Sequence, residues 1–285
     1  MNYKNLSDTM TLNNGVNIPC IGFGTWQVEN GDTAYQAVRE AIAAGYRHID
    51  TASGYGNEES VGRAVRDSGV PRDELFITSK LPNNMHGYEE TMESFEQTMK
   101  NLGLDVLDLY LIHWPAPVKY RDNWEAVNAE TWRAFEELYR AGRIRSIGLS
   151  NFMPHHIEAL LKTATIKPMV NQIKLCPGET QDKVVEVSRR HDILLEAYSP
   201  LGTGKIFSVE AMQDLAAKYN KSIAQIALRW SLQRGYLPLP KSVTPERIRA
   251  NGDVFDFELN DADMDLITNL TGCCGEAADP DKVPF

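Results

Sequence analysis

Hydrophobic and polar residues change period again and again along this chain, and the changes are regular. Met10 and Leu12 alternate with polar neighbours, Asn14-Gly15 is a strong tight-turn signal, and Ile18-Pro19 ends the return run, so 9–19 is predicted to be a β-hairpin. Ile21-Gly22-Phe23-Gly24 reads as the next strand. Apolar Ala34, Ala37, Val38, Ala41 and Ile42 then fall at helical spacing over 32–44, and Gly45 stops that helix. A short buried strand ends at Asp50 and runs into a polar loop. Further strands are predicted over 75–80, 106–112, 144–149, 169–172, 193–198 and 236–240. Helices are predicted between them over 57–68, 87–102, 124–140, 154–162 and 182–190, with two more, 209–219 and 223–234, before the last strand. Thr244-Pro245 looks like an N-cap with proline at the first helical position, and a final helix is expected over 261–270.

Eight alternations of strand and helix imply a parallel sheet closed on itself, a (β/α)8 TIM barrel, with the N-terminal hairpin plugging one end and extra helices before and after strand eight. At 285 residues the chain fits one such barrel, so 1–285 is read as a single domain. Its 42% hydrophobic and 24% charged residues are those of a globular protein with a sizeable core. No segment nears the roughly 18 apolar residues of a membrane span, and no signal core opens the chain, so a cytoplasmic location is expected. The formal net charge of -10 argues against nucleic acid or an anionic membrane as partner, and any anionic ligand must meet a local cluster of cations. Cys20, Cys176, Cys273 and Cys274 lack metal-ligand spacing and are expected to be reduced thiols, a vicinal Cys273-Cys274 disulfide being the alternative.

In a barrel of this kind, polar residues at the C-terminal strand ends read as catalytic. Asp50, Lys80 and His113 lie 30 and 33 positions apart, about one strand-helix unit each, which puts them at the same end of adjacent strands. Tyr55 follows Asp50 closely enough to fold back beside it. A phenol is a poor acid at neutral pH unless a cation is near, and Lys80 supplies one. Taken singly, these are a capping aspartate, a loop aromatic, a solvated lysine and a structural histidine.

Taken with three motifs in order, they resemble the aldo-keto reductase family. The motifs are Gly45-Tyr46-Arg47-His48-Ile49-Asp50-Thr51-Ala52, Ile147-Gly148-Leu149-Ser150-Asn151-Phe152 and Leu239-Pro240-Lys241-Ser242, and the likeness runs from about residue 10 to 285. The resemblance, nearest to prokaryotic members similar to 2,5-diketo-gluconate reductase, implies reduction of an aldehyde or ketone by hydride transfer from NADPH. It implies Tyr55 as proton donor, Lys80 lowering the phenol pKa, Asp50 fixing Lys80 and His113 orienting the carbonyl. No G-x-G-x-x-G is present, since Gly22-Phe23-Gly24 is a strand-end pair. By resemblance the cofactor lies across the barrel mouth, against Thr25 and Trp26. Ser150, Asn151 and Gln172 would bond its carboxamide and Tyr198 would stack on the ring. Ser199, Leu201 and Gly202 would line the pyrophosphate. Lys241, Ser242, Val243, Thr244 and Arg247, with Asn251, would hold the adenosine 2′-phosphate end, helped by the helix start after Thr244.

The substrate wall implied is Trp26, Tyr55, His113 and Trp114, with Trp124 as a possible contributor, and a small carbonyl compound acted on by a monomer is expected. The short stretch after Gly275 implies an open pocket. The chain departs from the family pattern at Lys174 and Cys176, which bear on the rim, and at Ala250, where many members place a glutamate toward adenine. Two other classes stay open: a cofactor-sensing subunit on the same scaffold that turns over very slowly, and a barrel hydrolase using Asp50 with Glu196. Glu196, two residues short of its strand end, reads as internal.

Overall fold

The computed structural model describes residues 3–285. Its first elements, β1 (Thr9–Thr11) and β2 (Asn17–Pro19), form the hairpin, Met10 opposite Ile18. Eight parallel strands follow: β3 (Phe23–Gly24), β4 (His48–Asp50), β5 (Phe76–Leu81), β6 (Leu107–Ile112), β7 (Ile144–Ser150), β8 (Val170–Lys174), β9 (Leu194–Tyr198) and β10 (Leu237–Leu239), each paired with the next. Two backbone bonds, Gly22 N–H to Pro238 O at 3.1 Å and Gly24 N–H to Pro240 O at 3.0 Å, join β3 to β10 and close the barrel. β3 is shorter than the predicted 21–24. Its glycines let the chain run close: a Cβ on Gly22 would stand 2.6 Å from His48 Nδ1.

The crossovers are α1 (Asp32–Ala43), α2 (Glu58–Asp67), α3 (Tyr88–Leu102), α4 (Trp124–Arg140), α5 (Pro154–Leu161) and α6 (Asp182–Arg190). Then α7 (Glu210–Tyr219) and α8 (Ile223–Gln233) precede β10, and α9 (Pro245–Gly252) and α10 (Asp261–Thr268) follow it. The five apolar residues that predicted α1 are its buried face. Between the sheet and the helices, Tyr110 of β6 packs on Phe95 of α3 and Phe135 of α4 with ring centroids 5.5 and 4.8 Å apart.

At the N-terminal end of the barrel, Asn13 at the hairpin tip donates to Pro168 O and Asp192 O, and Asn14 to Arg145 O. These carbonyls lie just before or at the starts of β8, β9 and β7, so the hairpin plugs that end as predicted. Beside it, buried Asp108 of β6 takes Arg72 at 2.6 Å and Arg145 at 2.7 Å.

Candidate active site

β4 and β5 run side by side with Asp50 opposite Thr78, and this register sets Lys80 one pleat above Asp50 on the inner face. Lys80 is wholly buried. Its ammonium donates to Asp50 Oδ1 at 2.8 Å, Oδ2 at 2.9 Å and Thr51 O at 2.8 Å. It also lies 4.8 Å from the centroid of the Tyr55 ring, which a 3-10 turn (Ser53–Tyr55) folds back over it. His113, just past the end of β6, meets Tyr55 edge-on at 5.7 Å, and its carbonyl accepts from Asn151 Nδ2 at 3.0 Å. The three residues expected from strand-end spacing, and Tyr55 with them, thus share one corner.

Burial disfavours the Lys80 ammonium, but Asp50 and Tyr55 outweigh it, and the lysine pKa ends above its ordinary value. Burial raises the Tyr55 pKa; Lys80 pulls it down, and Asp50 pushes it up again. Lys80 therefore acts in the direction the resemblance implied, yet the net shift is upward, and the phenol keeps its proton through neutral pH. Burial and then Lys80 hold His113 well below the usual histidine range, so the ring is neutral and has one N–H to give.

A cleft of about 1310 Å³ opens over this corner and runs to the start of α9. Ser150, Asn151, Gln172 and Tyr198 stand on its wall, tied to one another: Tyr198 donates to Asn151 Oδ1 at 2.8 Å, Asn151 to Ser150 Oγ at 3.1 Å, and Ser150 to Gln172 O at 2.9 Å. Asn151 and Ser199 adopt left-handed backbone, φ 62° and 49°, an uncommon conformation that turns each strand end into the mouth. Farther along, Ser199, Leu201, Lys241, Ser242, Arg247 and Asn251 continue the wall, and exposed Ala250 lies among them. This donor set suits a nicotinamide dinucleotide: amide-binding groups by Tyr55, and two cations at the far end of an otherwise acidic protein.

Some expected residues lie elsewhere. Thr25 is buried and spends its hydroxyl on Asp50 O at 2.9 Å, so it secures the strand end and does not line the cleft. Gly202 is buried against Cys274, and Val243 and Thr244 stand beside the wall formed by Lys241 and Arg247 without lining it. Trp124 opens α4, packs edge-on against His156 at 4.6 Å and does not line the cleft. Trp26 and Trp114 do line the cleft, joined by Asn83, Asn84, Phe207 and Phe285. The two asparagines follow Lys80 past the end of β5, where strand-end logic could have found them.

Phe285 lines the mouth that the short last stretch was expected to leave open. Its ring packs on Trp114 at 5.3 Å and its carbonyl accepts from Val118 N at 2.7 Å, while Arg121 bonds Val283 O. The departure at Lys174 has a related role: its ammonium takes the carbonyls of Cys274 at 3.1 Å, Gly275 at 2.8 Å and Glu276 at 3.1 Å, pinning the last segment to the rim. All four cysteines are free, as expected. No described helix is long and apolar enough to cross a membrane.

Glu196, considered as half of a hydrolytic pair, is wholly buried, and Gln172 Nε2 bridges it to Asp50. A carboxylate with no face on the cleft reaches no substrate, and the hydrolase alternative has no support here.

Residues 20–271 match the Aldo/keto reductase family. A glyoxal reductase of Bacillus subtilis (strain 168) is 49% identical over 280 residues, 98% of this chain and 99% of that one. Among solved structures, an aldo-keto reductase enzyme from a Medee basin deep-sea metagenome library superposes with a TM-score of 0.90 at 44% identity, over 98% of this chain and 100% of the other. A Bombyx mori aldo-keto reductase in complex with NADP gives 0.85 at 36% identity, over 93% of each chain. Barrel, cleft and sequence agree, and the chain belongs to the aldo/keto reductase family of oxidoreductases.

Proposed function

We propose that the protein reduces aldehyde or ketone carbonyls to alcohols with NADPH as reductant, and that Tyr55 gives the proton. The observation that supports this most is the buried chain Asp50–Lys80–Tyr55, which opens beside His113 into the one cleft wall bearing amide-binding groups. When bound, the dihydronicotinamide supplies a hydride; Ser150, Asn151 and Gln172 would hold its carboxamide, Tyr198 its ring, and Lys241 with Arg247 its 2′-phosphate.

The protein's share is to meet the charge that develops on the carbonyl oxygen. Tyr55 starts protonated, and the buried Lys80 ammonium beside it stabilises the phenolate left after transfer. Asp50 holds that ammonium in place through both carboxylate oxygens. Neutral His113 offers one N–H from the other side, so the oxygen sits between two donors whose bonds strengthen as charge builds. In the reverse direction, phenolate Tyr55 accepts the alcohol proton. The relative named glyoxal reductase makes small 1,2-dicarbonyls the first substrates to try.

The test is a carbonyl panel followed at the NADPH absorbance, run with wild type and Tyr55→Phe. The variant is expected to lose about 10²- to 10⁴-fold in kcat, with the NADPH Kd close to wild type. Retention of more than half of the turnover, with chemistry rate-limiting, would refute the assignment. Tight NADPH binding with negligible turnover across the panel would favour the cofactor-sensing reading instead.

A further inference from the structure

We infer that Glu196 is a positioning residue of the reductase site: with Asp50 it fixes the Gln172 amide so that the Gln172 carbonyl faces the cleft, and when it ionises its charge adds to the field on Lys80 and Tyr55. The inference rests on the reading of Tyr55 as proton donor.

An amide has two N–H donors on one atom and one carbonyl acceptor. Gln172 spends both donors inward, on Asp50 Oδ2 at 2.8 Å and on Glu196 Oε2 at 2.7 Å. Rotated the other way, its oxygen would abut two carboxyl oxygens, one of them the Lys80-bound Asp50. The orientation is therefore forced, and the oxygen, with no donor among the described residues, is what Gln172 presents to the cleft it lines. An oxygen there accepts from an amide N–H and rejects a carbonyl, so it selects which edge of a carboxamide it holds. Asp50 alone leaves one Gln172 N–H without a partner. Glu196 supplies that partner from the next strand, through the β8–β9 register that sets Gln172 opposite Glu196.

The neighbours of Glu196 also fix its charge. From β4 it meets Asp50 and His48, whose Nε2 is 3.8 Å from Glu196 Oε1. From β5 it senses Lys80, from β8 the neutral Gln172, and its partner on β10 is Leu237. Burial and then Lys80 hold His48 near pKa 3, so its imidazole is neutral and offers no counter-charge. Burial first, and Asp50 second, push the Glu196 carboxyl up to about 8. At neutral pH it carries its proton on Oε1, since Oε2 accepts from Gln172. Above pH 8 a second negative charge joins Asp50 in the interior. That charge favours protonated Tyr55, so it holds the alkaline limb of carbonyl reduction at higher pH.

Two variants separate the roles. Glu196→Gln keeps the shape and an acceptor but never ionises. The midpoint of its alkaline limb for reduction should fall by on the order of 0.5 to 1 pH unit, the effect of one charge a few groups away at an effective dielectric of about 20. Alcohol oxidation, which needs the phenolate, should shift the same way. Glu196→Asp keeps the charge but retracts the acceptor from Gln172, so the NADPH Kd should rise about fivefold or more while the limb stays high, an effect corresponding to one lost hydrogen bond. A limb in Glu196→Gln that superposes on wild type overturns the inference. So does an unchanged Kd in Glu196→Asp, which also decides the matter if Glu196→Gln does not fold. Tyr55→Phe run alongside tells the failures apart: if it stays active the proton-donor reading is wrong, and if it is inactive while the Glu196 variants match wild type, only the role of Glu196 is wrong.

Discussion

At the Tyr55 end of the cleft, Lys80 and Asp50 sit beneath the strand ends with side chains 0% and 5% exposed, whereas Lys241 and Arg247 at the α9 end stand in solvent. Both regions concentrate charge, and in the first burial raises the Tyr55 pKa against the pull of Lys80, while burial and then Lys80 lower that of His113. In the interior each charge acts through a low dielectric on groups held at fixed distance; at the rim, water and salt attenuate the same charge within a Debye length of about 8 Å. Chemistry that needs a phenol tuned and aimed belongs in the first setting. Recognition of a mobile phosphate can be built in the second.

The contrast is broken most forcefully at Lys80. Lys80→Met leaves Asp50 buried without its cation, and unfolding by urea should report a loss of about 3–5 kcal/mol. Adding Asp50→Asn removes the stranded charge and should restore much of that stability without restoring activity. If the double variant were no more stable than the single one, the pair would not behave as a desolvated ion pair.

At the rim, Lys241→Ala with Arg247→Ala should weaken NADPH roughly tenfold while leaving NADH nearly untouched, and the wild-type advantage of NADPH should shrink as salt is raised. Equal affinities of wild type for the two cofactors, or an equal loss for both in the variant, would remove these cations from the proposed 2′-phosphate site. The smallest effect is expected at Ala250, on the cleft wall between Arg247 and Asn251. Ala250→Glu offers an acceptor to the adenine amine near solvent, about 1 kcal/mol or less, hence up to about fivefold tighter NADPH. Tryptophan fluorescence titration would read it, and an unchanged or weaker Kd would mean that the adenine is held differently.

The meeting of Asp50, Tyr55, Lys80 and His113 in one corner was legible because strand-helix units have nearly constant length. Asp50, Lys80 and His113 keep step with the barrel, and a residue at a C-terminal strand end has few places to go. Most helices could be read within a residue or two, since the buried face of α1 is written in its own 3.6-residue period. Contacts between distant segments left no such trace. Gln172 meets Asp50 across 122 positions, and neither residue's neighbours announce it. The docking of Phe285 on Trp114 depends on Arg121, Val118 and Lys174 donating bonds to a segment that has little periodicity of its own. Trp124 was expected to open α4 and does, but the helix aims it at His156, a contact that its place at the helix start does not announce.

The seam between β3 and β10 is built from bonds that all run one way. Gly22 and Gly24 donate, and Pro238 and Pro240 accept but have no N–H to return. The barrel is in this sense a ribbon of seven paired junctions whose ends meet at a clasp. The clasp opens directly into Lys241 and Ser242, so the segment proposed to receive the far end of the dinucleotide hangs from the least redundant joint in the ring. A phosphate that bridges this segment to the wall across the cleft would act on the ring as a stitch.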